Sequence, residues 1–336
     1  MKILYIGQYS EGTTSRMRAE TLKTILNPKE FEVIDIHIPF YQTNPILRSL
    51  GFRYKKGPLI RKINQYVIAS IQQEYYDLVW VDKAVFIHPK TTKLLKSKTK
   101  KLVHFTPDPA FTFHKSTYFI RSLTLYDYVV TTKSYELNHY KKATNAKLLF
   151  ATQGYDKNLH LPSDIPFESK KGVAFIGHHE QEREQVLDGL LAANVPLVLA
   201  GIKWERFVNR HESNPLLEYL GEGVYGSAYV ETIQNAKIAW GALSKWVPEQ
   251  HTTRTFEIPA CGTALLTERN PETESFYMDD EVIFYENHQE LISKVKYYLN
   301  QEEELKEITQ KGLNKVRKDG FDYDSILNKI LTTILS

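Results

Sequence analysis

The sequence has little cysteine, no long apolar run and no glycine-rich dinucleotide fingerprint, and each absence excludes a class of protein. A single cysteine, Cys261, in 336 residues excludes a disulfide framework and a zinc site built from cysteines. No stretch approaches the roughly 20 apolar residues that a membrane-spanning helix needs. The N-terminal MKILYIGQYSEG is not typical of a signal peptide. Without the Gly-x-Gly-x-x-Gly spacing, an NAD-dependent dehydrogenase is disfavoured. These absences predict a cytoplasmic protein.

Composition is ordinary, but charge is divided unevenly along the chain. Hydrophobic residues make up 42% and charged residues 25%, as in globular proteins, and the length fits two domains. Residues 1–160 contain 25 Lys+Arg and 12 Asp+Glu, whereas the remainder contains 18 and 28. The lysine runs are either a solvated surface or the mark of an anionic partner, such as a phosphorylated acceptor, acidic lipid head groups or nucleic acid.

Short apolar runs alternate with amphipathic segments through both halves. Arg16–Leu26 and Leu59–Gln73 have apolar residues at helical spacing, and several runs are apolar on both faces, as in strands covered by helices. This alternation indicates doubly wound parallel sheets. The predicted strands are Lys2–Ile6, Phe31–Ile38, Tyr76–Val81, Lys101–Phe105, Tyr126–Thr131, Lys147–Ala151, Gly172–Ile176, Pro196–Ala200, Leu217–Leu220, Lys237–Leu243, Thr263–Thr267 and Glu281–Tyr285.

A polar segment at 156–171 interrupts the alternation. It contains two prolines and no sustained periodicity, which predicts a linker. The sequence therefore predicts an α/β protein with two Rossmann-like domains, at 1–155 and 172–320, and a C-terminal helix at 321–336 that packs back on the first domain. Because open parallel sheets bind ligands beyond the carboxyl ends of their strands, two such sheets facing a cleft would hold a pair of substrates.

The segment from 248 to 268 combines two acidic residues with a short helix. Glu249 and Glu257 are separated by seven residues, and the expected helix ends at Cys261 and Gly262 before a strand. The start of this helix offers free backbone N–H groups and a dipole that favour a diphosphate. The residues there are Thr252, Thr253 and Arg254. Both glutamates could instead be ordinary surface or helix-end acids.

This segment resembles the Glu-x7-Glu element of nucleotide-sugar glycosyltransferases with the GT-B fold. It is most similar to the CgeB-like, or spore-coat-maturation, group 1 branch. The shared pattern is formed by Arg254, Phe256, Glu257, Ala260 and Gly262. The resemblance implies that Glu257 accepts hydrogen bonds from ribose hydroxyls, for which a carboxylate is well suited, and that Glu249 holds the donor sugar. The commoner pattern has a glycine and apolar residues where this chain has His-Thr-Thr-Arg.

A second candidate site opens the second domain, where a strand ends at Gly177. Glycine after a strand lets an anion approach backbone amides, and His178 is a candidate surface or phosphate contact. The resemblance implies that Arg183, six residues after the glycine, binds the donor diphosphate. It also implies that the loop around Tyr225 packs on the nucleotide base, although Tyr225 fits a buried core position equally well.

The first domain offers candidates after its first and fourth strands. The loop containing Gly12 would approach the donor phosphate, and Arg16 is a candidate contact for that phosphate or for an anionic acceptor. Asp108 and His104 are candidates for the base that takes the acceptor proton in an inverting transfer, with His114 as an alternative. A retaining enzyme needs no such base, and Asp108-Pro109 could merely form a turn.

No metal ion or other cofactor is expected. The Asp-x-Asp pair formed by Asp322 and Asp324 comes just before the last helix, so it reads as helix capping rather than as a cation site. The leaving-group charge would then be met by Arg183, Arg254 and helix N-termini.

These features predict a metal-independent glycosyltransferase, hexosyl- or related, of polysaccharide or glycoconjugate synthesis. Its partners would be a nucleotide-sugar donor and a glycan, lipid-linked or other anionic acceptor, with peripheral contact between the basic first domain and the inner membrane face. Two alternatives stay open: a sugar-nucleotide 2-epimerase of the same architecture, and a non-catalytic carbohydrate- or nucleotide-binding or structural module. Nucleic acid is not expected, because the lysine runs lack interleaved aromatic residues.

Overall fold

Two six-stranded parallel sheets form the framework of the computed structural model, which describes residues 1–336 apart from the side chain of Ala84. Most central strands are runs of Ile, Leu, Val and aromatic residues buried on both faces. The strands are β1 (Lys2–Gly7), β2 (Glu30–Asp35), β3 (Tyr76–Asp82), β4 (Thr99–Thr106), β5 (Tyr128–Thr131), β6 (Lys147–Phe150), β7 (Val173–Ile176), β8 (Leu197–Ala200), β9 (Leu217–Tyr219), β10 (Ile238–Trp240), β11 (Ala264–Glu268) and β12 (Ile283–Tyr285).

Helices connect successive strands and cover the sheets. They are α1 (Thr14–Leu26), α2 (His37–Tyr41), α3 (Pro45–Tyr54), α4 (Pro58–Ser70), α5 (Pro89–Ser97), α6 (Thr117–Ser122), α7 (Leu137–Ala143), α8 (Gln181–Ala192), α9 (Glu205–Arg210), α10 (Gly226–Gln234), α11 (Arg254–Ala260), α12 (Pro271–Phe276), α13 (His288–Asn300), α14 (Glu302–Lys318) and α15 (Tyr323–Leu335). Within the described residues, no helix has the length and apolar character needed to cross a membrane.

Each sheet reverses its strand order once. The first sheet runs β2-β1-β3-β4-β5-β6 and the second runs β12-β11-β10-β7-β8-β9. The reversals therefore fall between β1 and β3 and between β7 and β10. Ligands of open parallel sheets bind beyond the carboxyl ends of the strands at such points. The residues that follow these four strands are the first places to look for a site.

The chain forms two compact units, each with its own core. The first contains Met1–Thr152, Trp246–Pro248 and Tyr323–Ser336, and the second contains Gln153–Lys245 and Glu249–Asp322. Residues 156–171, expected to be a linker, lie in the second unit. The apolar face of α15 packs with α1 and one face of the first sheet.

All twelve predicted strands exist, and the predicted doubly wound parallel architecture is confirmed. Two strands end three residues earlier than predicted: the strand predicted over Phe31–Ile38 ends at Asp35, and the strand predicted over Lys237–Leu243 ends at Trp240. The Asp35 carboxylate accepts a hydrogen bond from the His37 backbone N–H at 2.9 Å, and α2 begins there. Such a bond between an Asp side chain and the N–H two residues further on forms a turn, which ends the strand and leads the chain into α2.

Candidate active site

The turn after β7 is tightly packed and fixes the residues that follow. The Gly177 carbonyl accepts a hydrogen bond from Nε1 of Trp204 at 2.8 Å. A Cβ on Gly177 would lie 2.8 Å from the Phe175 ring, and one on Gly201 would lie 1.9 Å from the Gly177 oxygen. Glycine at 201 is thus required by the close approach of the Gly177 backbone, whereas a Cβ at 177 would meet only the Phe175 ring.

Three side chains meet around the start of α8. Nη2 of Arg183 lies 2.9 Å and Nε2 of His178 lies 3.0 Å from the same oxygen of Glu180. Nη1 of Arg183 donates to the His178 carbonyl at 3.0 Å, while its buried Nε has no hydrogen-bond partner within the described residues. Burial, and then the charge of Arg183, lower the pKa of His178. An anion arriving here would therefore meet one constrained guanidinium and a neutral imidazole.

A second arginine lies close to the first. Arg254 is the first residue of α11, and its buried Nε also lacks a partner in the part of the chain that the structure describes. Burial lowers the pKa of Arg183, and the charge of Arg254 lowers it further, against the opposing effects of Glu180 and Glu249. Two neighbouring cations, each with an unused buried N–H, favour a bound anion because it would relieve their repulsion and complete their hydrogen bonding.

Glu257 lies one turn further along α11 and is largely enclosed. Its side chain is 7% exposed. One carboxylate oxygen, Oε2, accepts hydrogen bonds from the Tyr229 hydroxyl at 2.7 Å and the Thr253 hydroxyl at 3.0 Å. The other, Oε1, lies 3.7 Å from Nε2 of the buried His160. The structure thus gives Glu257 several protein neighbours and leaves Oε1 as the oxygen less occupied by them.

The residues between the two glutamates have different roles in the structure. Nε2 of His251 accepts from the Gln153 backbone N–H at 3.0 Å, and its Nδ1 lies 2.5 Å from a Glu272 oxygen. His251 therefore ties the start of the second unit to α12. Thr253 holds Glu257, as described above. The Thr252 hydroxyl is buried without a hydrogen-bond partner in the described chain.

Glu249 is half-buried, and Oε2 accepts from the Ser244 backbone N–H at 3.1 Å. It lies in the loop after β10, near enough to Arg183 to raise the pKa of that guanidinium. Its bond to Ser244 shapes this loop at the switch point of the second sheet.

A cavity of about 510 Å³ opens beyond the carboxyl ends of β10, β11 and β12. Its lining includes Arg183, Glu180, Trp240, Glu268 and Tyr285, whereas Arg254 and Glu257 do not line it. The volume is typical of small-ligand sites. Arg183 is therefore shared between this cavity and the arginine pair.

Tyr225 is exposed. It precedes α10, and 69% of its surface is accessible, so the buried core position considered for it is wrong.

In the first unit, Asp108 is paired with a lysine that sequence reasoning missed. Nζ of Lys83 lies 2.5 Å from Oδ2 of Asp108, and Nε2 of His114 lies 4.0 Å from the same oxygen. Burial opposes ionisation of Asp108, but Lys83, His114 and Lys133 together hold its pKa well below the usual value. Asp108 is thus a carboxylate with very low basicity.

The position of His104 argues against a role as catalytic base. The side chain is fully buried, and its ring lies 4.4 Å from the Phe119 ring and 5.4 Å from the Tyr126 ring. Burial lowers the pKa of His104 to about 3. An acceptor hydroxyl could not reach this imidazole without unpacking the core, and its basicity is low. His114 is also buried, and burial followed by Lys83 lowers its pKa to about 4.

Gly12 and Arg16 lie after β1, as expected. Gly12 has a φ of 72°, which glycine adopts without strain, and Arg16 in α1 stacks over the Tyr9 ring at 5.3 Å. The turn delivers the chain into α1, whose Thr13 cap accepts from the Arg16 backbone N–H.

A buried ion pair at the switch point of the first sheet was missed. Arg18 donates to both oxygens of Asp82, at 2.9 and 3.1 Å, and the Tyr5 hydroxyl donates to Asp82 at 3.0 Å. Asp82 ends a long apolar strand, the same signal that singled out other positions after strands. The Tyr229 and His160 contacts of Glu257 had no such signal, because they bring together residues far apart in the sequence.

Comparisons with known proteins show similarity to glycosyl transferases in sequence and in fold. Residues 179–332 match a family model described as "Glycosyl transferase-like". No curated protein sequence matches the chain. Sucrose-phosphate synthase from Thermosynechococcus elongatus superposes with a TM-score of 0.71 and 12% identity, covering 99% of this chain and 98% of that one. The chain has the GT-B fold. Its region 179–332 is similar to the glycosyl transferases that the model describes.

Two further structures show the same fold. HepE from Anabaena, solved with UDP and glucose, has a TM-score of 0.68 and 15% identity, covering 100% of this chain and 99% of that one. Trehalose 6-phosphate synthase from Burkholderia multivorans has a TM-score of 0.69 and 10% identity, covering 99% and 98%. The GT-B architecture expected from the sequence is confirmed at both units.

Proposed function

We propose that this GT-B protein is a glycosyltransferase of the CgeB-like branch that moves a sugar from a nucleotide-sugar donor to an acceptor hydroxyl. The observation that carries the proposal is the pair formed by Arg183 and Arg254 near the switch point of the second sheet. Each has a buried Nε without a partner within the described residues. Preorganised donors of this kind stabilise the charge that develops on a departing diphosphate.

The proposed donor is a uridine diphosphate hexose. The HepE structures contain UDP with glucose, and UDP-glucose, and that protein shares this fold. Glu257 would accept a hydrogen bond from a ribose hydroxyl at Oε1. The other oxygen, Oε2, already accepts hydrogen bonds from Tyr229 and Thr253. The charge of the diphosphate would be met by the arginines, so the proposed reaction does not depend on a metal ion.

The proposed acceptor is anionic and binds the first unit. Lys83 lies against Asp108, and Lys133 and Lys55 act on the same group of titratable residues. Burial, and then the charge of Lys83, lower the pKa of Lys55 to about 8. This excess of positive charge around one carboxylate favours a phosphate or carboxylate of the acceptor. Asp108, held ionised, would orient the acceptor hydroxyl.

Nucleotide binding by the arginine pair is the first test. Thermal-shift titrations with UDP, GDP and ADP should show stabilisation by at least one of them. Arg183→Gln and Arg254→Gln should each lower the affinity for that nucleotide by roughly 10- to 100-fold. This corresponds to the loss of about 1.5–3 kcal/mol from a charge-assisted hydrogen bond. Arg206→Gln, a matched change at an exposed arginine in α9, should leave the affinity unchanged.

The same titration separates the two possible roles of Glu257. If Oε1 holds the ribose, Glu257→Gln should weaken the nucleotide while Tyr229→Phe, which spares the carboxylate, should weaken it much less. Equal nucleotide affinity in wild type and Glu257→Gln would restrict Glu257 to a structural role. No binding of any nucleotide would overturn the proposed function. If the protein epimerises the donor sugar when no acceptor is present, the proposed function is wrong and the protein is a sugar-nucleotide 2-epimerase.

A further inference from the structure

Helix α3 exposes an unusual number of apolar side chains. Ile46 is 71% exposed, Tyr54 60% and Leu50 49%. Leu47 and Phe52 are also exposed, as is Tyr41 at the end of α2. Single exposed apolar residues are ordinary, but a cluster on one short segment marks an interaction surface.

The chain segment that contains this helix has charge of one sign only. Between Asp35 and Glu74 the sequence contains no acidic residue. The same interval contains six basic residues, namely Arg48, Arg53, Lys55, Lys56, Arg61 and Lys62. Arg53, Lys56, Arg61 and Lys62 are exposed. Residues 83–107 also contain no acid and have seven lysines, but none of their described large apolar side chains is exposed. The combination of positive charge with exposed apolar side chains sets the α3 segment apart.

Helix α3 is held to the first unit along a narrow line. Gly51 is its one buried residue, and a Cβ there would lie 2.6 Å from Cβ of Leu59 in α4. The Phe52 ring adds contacts with Phe40 at 6.1 Å and with Phe86 at 6.0 Å. The other large apolar side chains of α3 are exposed, namely Ile46, Leu47, Leu50 and Tyr54. The helix is therefore fixed in place while most of its side chains remain available to a partner.

We infer that α3 and the start of α4, here called the α3 surface and defined as residues 41–62, bind the surface of an anionic lipid bilayer. Ile46, Leu47 and Leu50 would enter the boundary between head groups and acyl chains, with Tyr54 at the interface. The exposed arginines and lysines would contact the acidic head groups. With ten residues, α3 can lie in the interface but cannot span it.

Charge complementarity favours an anionic lipid surface over a second copy of the chain as the partner of the α3 surface. A self-association surface must complement itself, and an all-basic surface would repel its own copy. The α3 surface also adjoins the candidate acceptor site of the first unit, because the Phe52 ring lies 5.9 Å from the His114 ring. A lipid-linked acceptor would then be held at the same membrane face; that consequence rests on the proposed function, whereas bilayer binding does not.

Vesicle flotation with the full chain tests the inference. The protein should float with vesicles of phosphatidylcholine and phosphatidylglycerol, and much less with phosphatidylcholine alone. Arg53→Gln with Lys56→Gln should lower partitioning by roughly 25-fold, about fivefold for each charge removed. Ile46→Ser with Leu50→Ser should lower it by about tenfold or more. High salt should weaken binding of the wild type.

Matched controls separate a local surface from overall charge. Lys93→Gln with Lys100→Gln removes two exposed lysines of the first unit outside the α3 surface and should reduce partitioning much less. Met278→Ser, at a residue 68% exposed in the second unit, should have no effect. Equal losses in these controls, or equal binding to neutral and anionic vesicles, would overturn the inference. So would sedimentation showing that Ile46→Ser with Leu50→Ser dissociates a dimer while vesicle binding persists.

Discussion

Two buried histidines in the first unit make the stability of the protein depend on pH. Burial lowers the pKa of His104 to about 3 and that of His114 to about 4. An unfolded histidine has a pKa near 6.5, so between these values the unfolded chain binds more protons and stability falls as pH drops. For each histidine, the free energy of unfolding should fall by about 2 kcal/mol when the pH drops from 8 to 5. Urea titrations at the two pH values measure this loss.

His104→Leu should remove one of the two contributions, so the variant should lose about 2 kcal/mol less than the wild type over the same pH range. His139→Leu, at an exposed position, should leave the wild-type loss intact. The comparison uses differences between pH values, so a change in baseline stability of the variant does not affect it. An unchanged loss in His104→Leu would show that this imidazole becomes protonated without unfolding.

Some residues of the candidate site could be identified from the sequence, and others could not. Arg183 and Arg254 follow from local pattern, since each occupies a set position after a strand or at a helix start. Tyr229 could not be found, because its bond to Glu257 joins residues 28 positions apart and depends on how α10 packs. Lys83 follows β3 directly, so the rule about the carboxyl ends of strands would have identified it.

At the scale of elements, the strands were predictable, whereas several short helices, α3 among them, were not predicted. Buried strands of parallel sheets are continuous apolar runs, and such runs stand out against polar connections. Helix α3 has apolar residues at helical spacing, namely Ile46, Leu47, Leu50 and Tyr54. The sequence could not show that this apolar face is exposed, because exposure depends on how α3 packs on the rest of the first unit.

Two helical glycines should respond in opposite ways to alanine. Both changes gain up to about 1 kcal/mol of helix propensity. A Cβ at Gly312 in α14 would lie 2.5 Å from the Glu281 backbone oxygen, which cannot move away. A Cβ at Gly189 in α8 would meet Cδ1 of Ile292 at 2.4 Å, and that methyl group can rotate. Gly312→Ala should therefore destabilise by about 1–2 kcal/mol net, and Gly189→Ala should be neutral or slightly stabilising.

Chemical denaturation of the two variants under one set of conditions checks this contrast. Each serves as the control for the other, because both place the same residue inside a helix of the second unit. If Gly312→Ala were as stable as Gly189→Ala, the α14 backbone would have to shift readily away from Glu281, and the close approach would not be a constraint.

At the scale of the whole molecule, the first unit is completed by the end of the chain. Tyr323–Ser336 belongs to it, although nearly all of the intervening residues from 153 to 322 form the second unit. The buried face of α15 includes Ile326, Leu327, Ile330, Leu331 and Ile334, and it packs in one core cluster with Ala19 and Leu22 of α1. Stability of the first unit therefore depends on contacts between the two ends of the sequence.

A pair of substitutions two residues apart tests that dependence. Ile330 is buried and Thr332 is exposed on the same helix. Ile330→Asp would place an unpaired charge in the core and should cost at least about 3 kcal/mol, whereas Thr332→Asp should cost below about 1 kcal/mol through the helix dipole. Hydrogen exchange should accelerate in β1 and β3 of Ile330→Asp and stay unchanged in β7 and β10. Because each unit has its own core, equal acceleration in both sheets would show that the two units unfold as one and that α15 stabilises the entire chain.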